Sequence, residues 1–174
     1  MNTLIITANP SSKWFTHKIA DKIIEIKKKN KENYEIIDLY KTNLEQDFLR
    51  FEDKKEIWWF TKKAANLSEN TKIIQEKISL SDEIIFIFPI WWWDMPAIMK
   101  NFWDNNFLSG FAFKYEKNWD KIKRIWLLKW KTSRVIATSW APWFFYNLIL
   151  HIQFLWNLNR ISFCWIKLKS FTVF

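Results

Sequence analysis

At 174 residues, with 49% hydrophobic and 26% charged side chains, the chain suits one soluble domain with a core of useful size. Its formal charge of +9 favours anionic ligands, but no basic stripe with interleaved aromatics or binding motif points to nucleic acid. The lone Cys164 excludes a disulfide framework, and the opening MNTLIITANP lacks the cationic and apolar regions of a secretion signal.

Thr3–Ala8 (TLIITA) is a short β-rich run that ends in the polar loop NPSSKWF. THKIADKIIEIKKK follows, with Ile19, Ile23, Ile24 and Ile26 close to helical period. The lysines of KKKNK, Lys27–Lys31, read as a solvated helix end favoured by the macrodipole. Tyr34–Leu39 is a second strand, and residues 41–66 form an irregular connection with at most one helical turn. Ser68 is a candidate N-cap for a helix over SENTKIIQEKISL, whose Ile73, Ile74 and Ile78 share a face. EIIFIFPI is a continuous apolar strand of the kind covered on both sides. Pro96 can open the next helix, PAIMKNFWDNNF, at its first turn. Arg134–Ser139 is a fourth strand, PWFFYNLILHIQFLW a further helix, and ISFCWIKL a fifth strand, with Cys164 a small buried hydrophobe rather than a nucleophile. Residues 135–158 resemble a membrane span superficially, but Pro142, Asn147, His151 and Gln153 interrupt them. Alternating strands and helices predict a parallel α/β sheet covered on both faces, in one soluble, cytoplasmic domain over residues 1–174.

Two counts are out of line. A domain of this length should carry about 12 glycines; this one has only Gly110, alongside 14 tryptophans. Tryptophan stands where glycine would be routine. KNW at Lys117–Trp119 reads like an Asn-Gly turn, and Trp130 and Trp140 flank the fourth strand. The composition therefore suggests that many of these tryptophans are UGA codons that the source decodes as glycine; the alternative is a genuinely Trp-rich protein. Trp91 and Trp103 are the best candidates for real indoles. A fold with one glycine should carry backbone strain at many corners.

Ligands of a doubly wound sheet gather outside the carboxyl ends of its strands. Three loops leave such ends here: NPSSKWFT, PIWWWDMP and TSWAPWFFY. The first combines a helix N-terminus with the hydroxyls of Ser11, Ser12 and Thr16 and the charge of Lys13, which suits a phosphate; ordinary helix capping accounts for the same residues. It has neither the G-x-G-x-x-G spacing nor a P-loop, even with glycine at position 14. The second loop offers aromatic surface for a flat conjugated ring, with core packing of Trp91 and Trp92 as the plainer alternative. The third holds Thr138, Ser139 and Tyr146, whose O–H is either a proton donor or an ordinary buried phenol. No Cys/His cluster suggests a metal.

FPIWWWDMPAIMKNFWDNNF, GFAFKY and LLKWKTSRVIATSWAPWFFY together resemble the flavodoxin-like NAD(P)H:quinone oxidoreductases of the DT-diaphorase type, from Leu4 to about Lys169. Glycine at Trp93, Trp126, Trp130, Trp140 and Trp165 brings the likeness closer. The resemblance implies a five-stranded sheet in the order 2-1-3-4-5 and noncovalent FAD or FMN, with FAD slightly favoured. It also implies NAD(P)H as electron donor and a quinone or similar small molecule as acceptor. It places Ser11, Lys13, Phe15 and Thr16 at the flavin's phosphate end, and Pro89, Ile90, Trp91 and Trp92 along the ring. Thr138, Ser139 and Trp140 fall at the ring's polar edge. Tyr146 matches the family tyrosine that stabilises the reduced ring and is the catalytic candidate. Relatives are homodimers, and Phe113 and Tyr115 match aromatics that cover the ring from the second subunit.

The chain departs from that pattern in places. Asn9 stands where the family often has histidine, and Ile152 where a second histidine follows the tyrosine, with His151 one residue short. The chain stops at SFTVF, where relatives continue through a last helix. A true indole at Trp14 or Trp140 would fill space that flavin needs. Two rival functions follow from the same fold: a one-electron flavodoxin-like carrier, and a non-catalytic regulatory subunit of a membrane transporter. Carriers are usually acidic, so the basic balance and GFAFKY speak against the first. Neither nucleic acid nor an integral membrane segment is expected.

Overall fold

Every residue of Glu83–Pro89 is buried, so the apolar run forms the middle of a sheet, as its composition requires. In this computed structural model the described residues are 1–49, 67–92, 94–118, 121–140, 161, 164 and 166–174. In chain order the elements are β1 (Asn2–Thr7), α1 (Phe15–Lys29), β2 (Asn33–Asp38), α2 (Glu69–Leu80), β3 (Glu83–Pro89), α3 (Ala97–Asn106), β4 (Phe113–Asn118), β5 (Lys121–Trp126), β6 (Thr132–Thr138) and β7 (Lys167–Val173). Five of them make one parallel sheet in the order β2-β1-β3-β6-β7. Counting only those strands, this is the expected 2-1-3-4-5 order.

Side chains of a strand alternate between faces, and the core divides accordingly. Leu4, Ile6, Ile84, Phe86 and Phe88 pack with Ile74 and Ile78 of α2 and Met99 and Phe102 of α3. Ile5, Ile85 and Ile87 face the other way, against Ala20, Ile19, Ile23 and Ile24 of α1. The Ser68 signal for a helix start holds, and Pro96 lies one residue ahead of the first turn it was expected to open. The Ser68 hydroxyl accepts the Thr71 N–H at 3.1 Å, and Pro96 is the N-cap of α3. The residues leading out of β2 are tied down by side-chain amides: Asn101 donates to the Gln46 carbonyl at 2.8 Å, and Asn106 to Gln46 Oε1 at 2.8 Å.

Four sequence expectations need correction. The fifth strand is KLKSFTV, not ISFCWIKL. Ile161, Cys164 and Ile166 are buried because they pack into the core ahead of the strand, while β7 is an edge strand with polar residues interleaved. Lys117 and Asn118 of KNW belong to an antiparallel pair, β4–β5, that the sequence reading did not include: Asn118 pairs with Lys121 and Lys117 with Ile122, while Trp119 lies outside the described residues. Lys27 is not solvated: it is 8% exposed and pairs with Glu32 at 2.7 Å. Strain is also rarer than one glycine implies. Among the described residues only Lys31 (φ 55°) and Trp92 (φ 49°) are non-glycine residues at positive φ. No helix among the described residues is long and apolar enough to cross a membrane. The helix expected over PWFFYNLILHIQFLW, with Tyr146 and His151, lies outside the described residues.

Candidate nucleotide site at the carboxyl ends of the strands

The loops after β1 and β6 meet through neutral hydrogen bonds. Asn9, fully buried, donates from Nδ2 to Thr16 Oγ1 at 3.0 Å and accepts the Ser11 N–H on Oδ1 at 3.0 Å. Thr16 Oγ1 lies 3.2 Å from Thr138 Oγ1. Thr16 Oγ1 accepts from Asn9, and either threonine hydroxyl can donate in the contact between them, since each oxygen has two lone pairs. Thr16 is 1% exposed, whereas Thr138 is half-buried, so the hydrogen-bond chain runs from the interior toward the surface.

α1 begins beside this contact without a side-chain cap and without an acidic residue in its first turn. α2 has both a Ser68 cap and Glu69. Uncapped first-turn N–H groups carry the positive end of the helix dipole and suit an anion. Ser11 is half-buried, and Lys13 is exposed beside that terminus. Phe15, 54% exposed, meets the ring of Phe174 edge-to-face at 6.0 Å. The donor set therefore fits a phosphate held at the start of α1.

The loop after β3 is joined to the other two by backbone. The Ile90 N–H donates to the Thr138 carbonyl at 2.8 Å, and the Ala8 N–H to the Ile87 carbonyl at 3.1 Å. Pro89 is buried and Ile90 half-buried. Trp91 and Asp94 exchange backbone hydrogen bonds at 2.9 and 3.0 Å, closing a turn that puts Trp92 at φ 49°. The Trp92 ring is 96% exposed, which excludes the core-packing alternative for that residue; Trp91 is half-buried. Trp140 is 93% exposed. Ser139 is half-buried, and its N–H donates to the Phe174 carbonyl at 2.8 Å. Tyr146 and Trp93 lie outside the described residues.

Phe113 and Tyr115 are placed differently from each other. Phe113 is 4% exposed and part of its own subunit's core, which leaves little of it to cover a ring in a second subunit. Tyr115 is half-buried, edge-to-face with Phe113 at 5.7 Å. Two features escaped sequence reading. Asn9 had only the Asn-Pro dipeptide after a strand to mark it, which is a turn signal. His17, next to Thr16, pairs through Nε2 with Asp38 at 3.0 Å, and Lys41 approaches the same carboxylate at 3.4 Å; no spacing in the sequence joins the end of β2 to α1.

In doubly wound α/β proteins ligands bind outside the carboxyl ends of the strands, which is where these hydroxyls and the uncapped helix start lie. The chain belongs to the Flavodoxin_2 family, described as having the flavodoxin-like fold, whose profile matches residues 1–173. An uncharacterized NAD(P)H oxidoreductase of Haemophilus influenzae is 32% identical over 146 residues, covering 79% of this chain and 64% of that protein. FMN-dependent NADH:quinone oxidoreductase 2 of Clostridium perfringens is 35% identical over 102 residues, 58% of this chain and 50% of that protein. The chain thus spans between half and two thirds of these curated relatives. The solved NAD(P)H:quinone oxidoreductase from Methanothermobacter marburgensis superposes with a TM-score of 0.80 at 22% identity, covering all of this chain and 85% of that one, a likeness of fold.

Proposed function

We propose that this chain is a flavin-dependent NAD(P)H oxidoreductase of the quinone-reductase type, passing two electrons from NAD(P)H to a quinone or similar acceptor and working as a homodimer. The observation that carries the reading is the Asn9–Thr16–Thr138 hydrogen-bond chain beside the uncapped start of α1. FMN replaces FAD as the favoured cofactor. A C. perfringens relative is named for FMN, and the one terminal phosphate of FMN would sit at the uncapped start of α1 beside the Asn9–Thr16–Thr138 chain. Bound flavin supplies the hydride-accepting and electron-releasing chemistry. The protein supplies the anchorage: Ser11, Lys13, Phe15 and Thr16 at the phosphate end, Pro89, Ile90 and Trp91 beside the ring, and the hydroxyls of Thr138 and Ser139 at its polar edge. Tyr146 keeps its proposed role as hydrogen-bond donor to the reduced ring.

The glycine reading of UGA belongs to the same proposal. Trp140 is 93% exposed and buries almost nothing, Trp130 is 71% exposed with its ring met by the Lys129 ammonium at 4.6 Å, and the backbone at Trp92 occupies the region glycine favours. Trp103, by contrast, is 6% exposed and stacked between Phe86 and Phe107 at 4.9 and 4.0 Å, so it remains an indole. Sequencing peptides of protein from its native source should read glycine at 130 and 140; tryptophan at both would overturn this part. Protein made with glycine decoding should bind FMN, turn yellow and bleach when NADPH or NADH is added. A protein that stays colourless with FMN and FAD would overturn the functional reading.

A further inference from the structure

His17 is the third residue of α1, next to Thr16 of the hydroxyl chain, and its ring reaches across to the end of β2. Nε2 lies 3.0 Å from Asp38 Oδ2; a carboxylate only accepts, so Nε2 carries the ring proton and donates. Asp38 is fixed in turn. Its other oxygen accepts the Tyr40 N–H at 3.1 Å, and its carbonyl accepts the Lys41 and Thr42 N–H groups at 3.0 and 2.8 Å. The His17 and Asp38 side chains are 13% and 16% exposed, so salt and water screen them poorly. Among the described residues nothing bonds to the buried Nδ1 of His17. Thr7, opposite Asp38 in the β1–β2 register, is fully buried, and its hydroxyl also lacks a partner. An acceptor for a second ring proton therefore stands on the same face of the sheet. The charges around the ring oppose one another. Asp38 draws a proton to it, whereas the positive end of α1 repels one, as do Lys13 and Lys41, the latter 3.4 Å from Asp38. Tyr40 stays neutral, its phenol pushed up by burial. Asp21, a turn further along α1, is exposed, and the carboxyl halves of β1, β3 and β6 carry no charged residue.

We infer that His17, held by Asp38, is the counter-cation of the cofactor phosphate: an anion arriving at the start of α1 offsets the helix dipole and the lysines, and the imidazole takes a proton from solvent onto Nδ1. It acts by charge at short range, not by contact. This rests on the proposed FMN site and says how that site balances the charge of its ligand. Proton uptake on binding means that affinity falls as pH rises through the histidine range, about pH 5 to 8. The FMN phosphate loses its own second proton at about pH 6 and acts in the opposite direction. The comparison is therefore with His17→Gln, whose amide can still donate to Asp38. In fluorescence-quenching titrations with FMN, wild type should bind about tenfold tighter than His17→Gln at the acid end of that range, the low end of what one close charge does to a titrating group. At the alkaline end the two should agree within about twofold. Riboflavin, which lacks the phosphate, should give parallel pH profiles in the two proteins. Calorimetry of FMN binding in two buffers of different ionisation enthalpy should show net proton uptake by wild type near neutral pH, and none by His17→Gln. Parallel FMN profiles, or the same His17-dependent profile with riboflavin, would overturn the inference and leave His17 a structural tie between α1 and β2. Should His17→Gln fail to fold, the wild-type calorimetry decides alone: absence of net uptake overturns the inference. Wild-type protein that binds neither flavin would overturn the parent reading as well, an outcome distinct from FMN binding that His17 does not tune.

Discussion

The two ends of the sheet are built from different chemistry. At the amino end of β3 the Glu83 carboxylate, 2% exposed, meets Arg134 at 3.0 Å, Lys169 at 3.5 Å and Lys27 at 3.6 Å. Nearby the buried Lys131 donates to the carbonyls of Ser79 and Ser81 at the end of α2. Every charge there is met by another charge or by a helix C-terminus. The carboxyl end instead uses an amide and two hydroxyls, Asn9, Thr16 and Thr138, beside a helix terminus left open. A cluster whose charged groups are already engaged with one another fixes the fold and has little capacity left for a ligand; neutral donors in series retain it.

The strongest way to break this contrast is to remove Glu83. Glu83→Gln leaves three cations around a neutral amide and should cost roughly 2–3 kcal/mol, below the usual cost of breaking a wholly buried pair because Arg134 and Lys169 can reach water. Urea unfolding at neutral pH measures this, and FMN affinity of the folded variant should stay within about twofold. Burial by itself pushes the Glu83 carboxyl up, but the Arg134 hydrogen bond and charge, with Lys169 and Lys27, outweigh it and hold the group below the ordinary carboxylate range. A depressed folded-state pKa gives stability that is complete above the unfolded value and is lost as pH falls through the folded one. The wild type should therefore lose its advantage over Glu83→Gln on acidification. A gap that persists well below the carboxylate range would show that Glu83 acts through packing, not charge.

Thr16→Val probes the opposite end. It strands the Asn9 Nδ2 donor in the interior, a loss of about 1–2 kcal/mol, and cuts the link to Thr138. Its effect should fall on the ligand more than that of Glu83→Gln does: FMN affinity should drop about tenfold, corresponding to roughly 1.4 kcal/mol, read by fluorescence quenching of titrated FMN. If Glu83→Gln weakened FMN more than Thr16→Val, the division of labour between the two ends would be wrong.

How much of this could be read beforehand depended on whether a signal was local. β3 was legible because seven consecutive buried residues leave no polar interruption, and α2 because Ser68 caps it. Thr16 and Thr138 were legible as residues at strand ends, though not their 3.2 Å contact across 122 residues. β7 was misread because the apolar stretch before it is buried for a different reason from the strand itself. The charged sequences FKYEKN and KIKRIW hid β4 and β5, since a two-stranded hairpin outside the main sheet need not carry a clear apolar face. The Phe174 carbonyl on the Ser139 N–H was not legible either, because that partner is supplied by strand order alone.

The smallest test concerns Trp92, because it separates backbone demand from side-chain use within the carboxyl end. A bulky residue at positive φ costs about 1–2 kcal/mol relative to the right-handed region, and glycine returns roughly 0.5–1 kcal/mol of that as greater freedom in the unfolded chain. Trp92→Gly should therefore stabilise by about 0.5–1 kcal/mol, seen as a higher urea midpoint. The indole, 96% exposed, gives up almost no buried area, so no packing loss offsets the gain. FMN affinity distinguishes the two roles assigned to this position. Unchanged affinity would mean that the turn between Trp91 and Asp94 requires only a residue tolerant of positive φ. A several-fold loss would mean that the indole itself lines the flavin ring, and the carboxyl end would then hold its ligand by aromatic surface as well as by neutral hydrogen bonds.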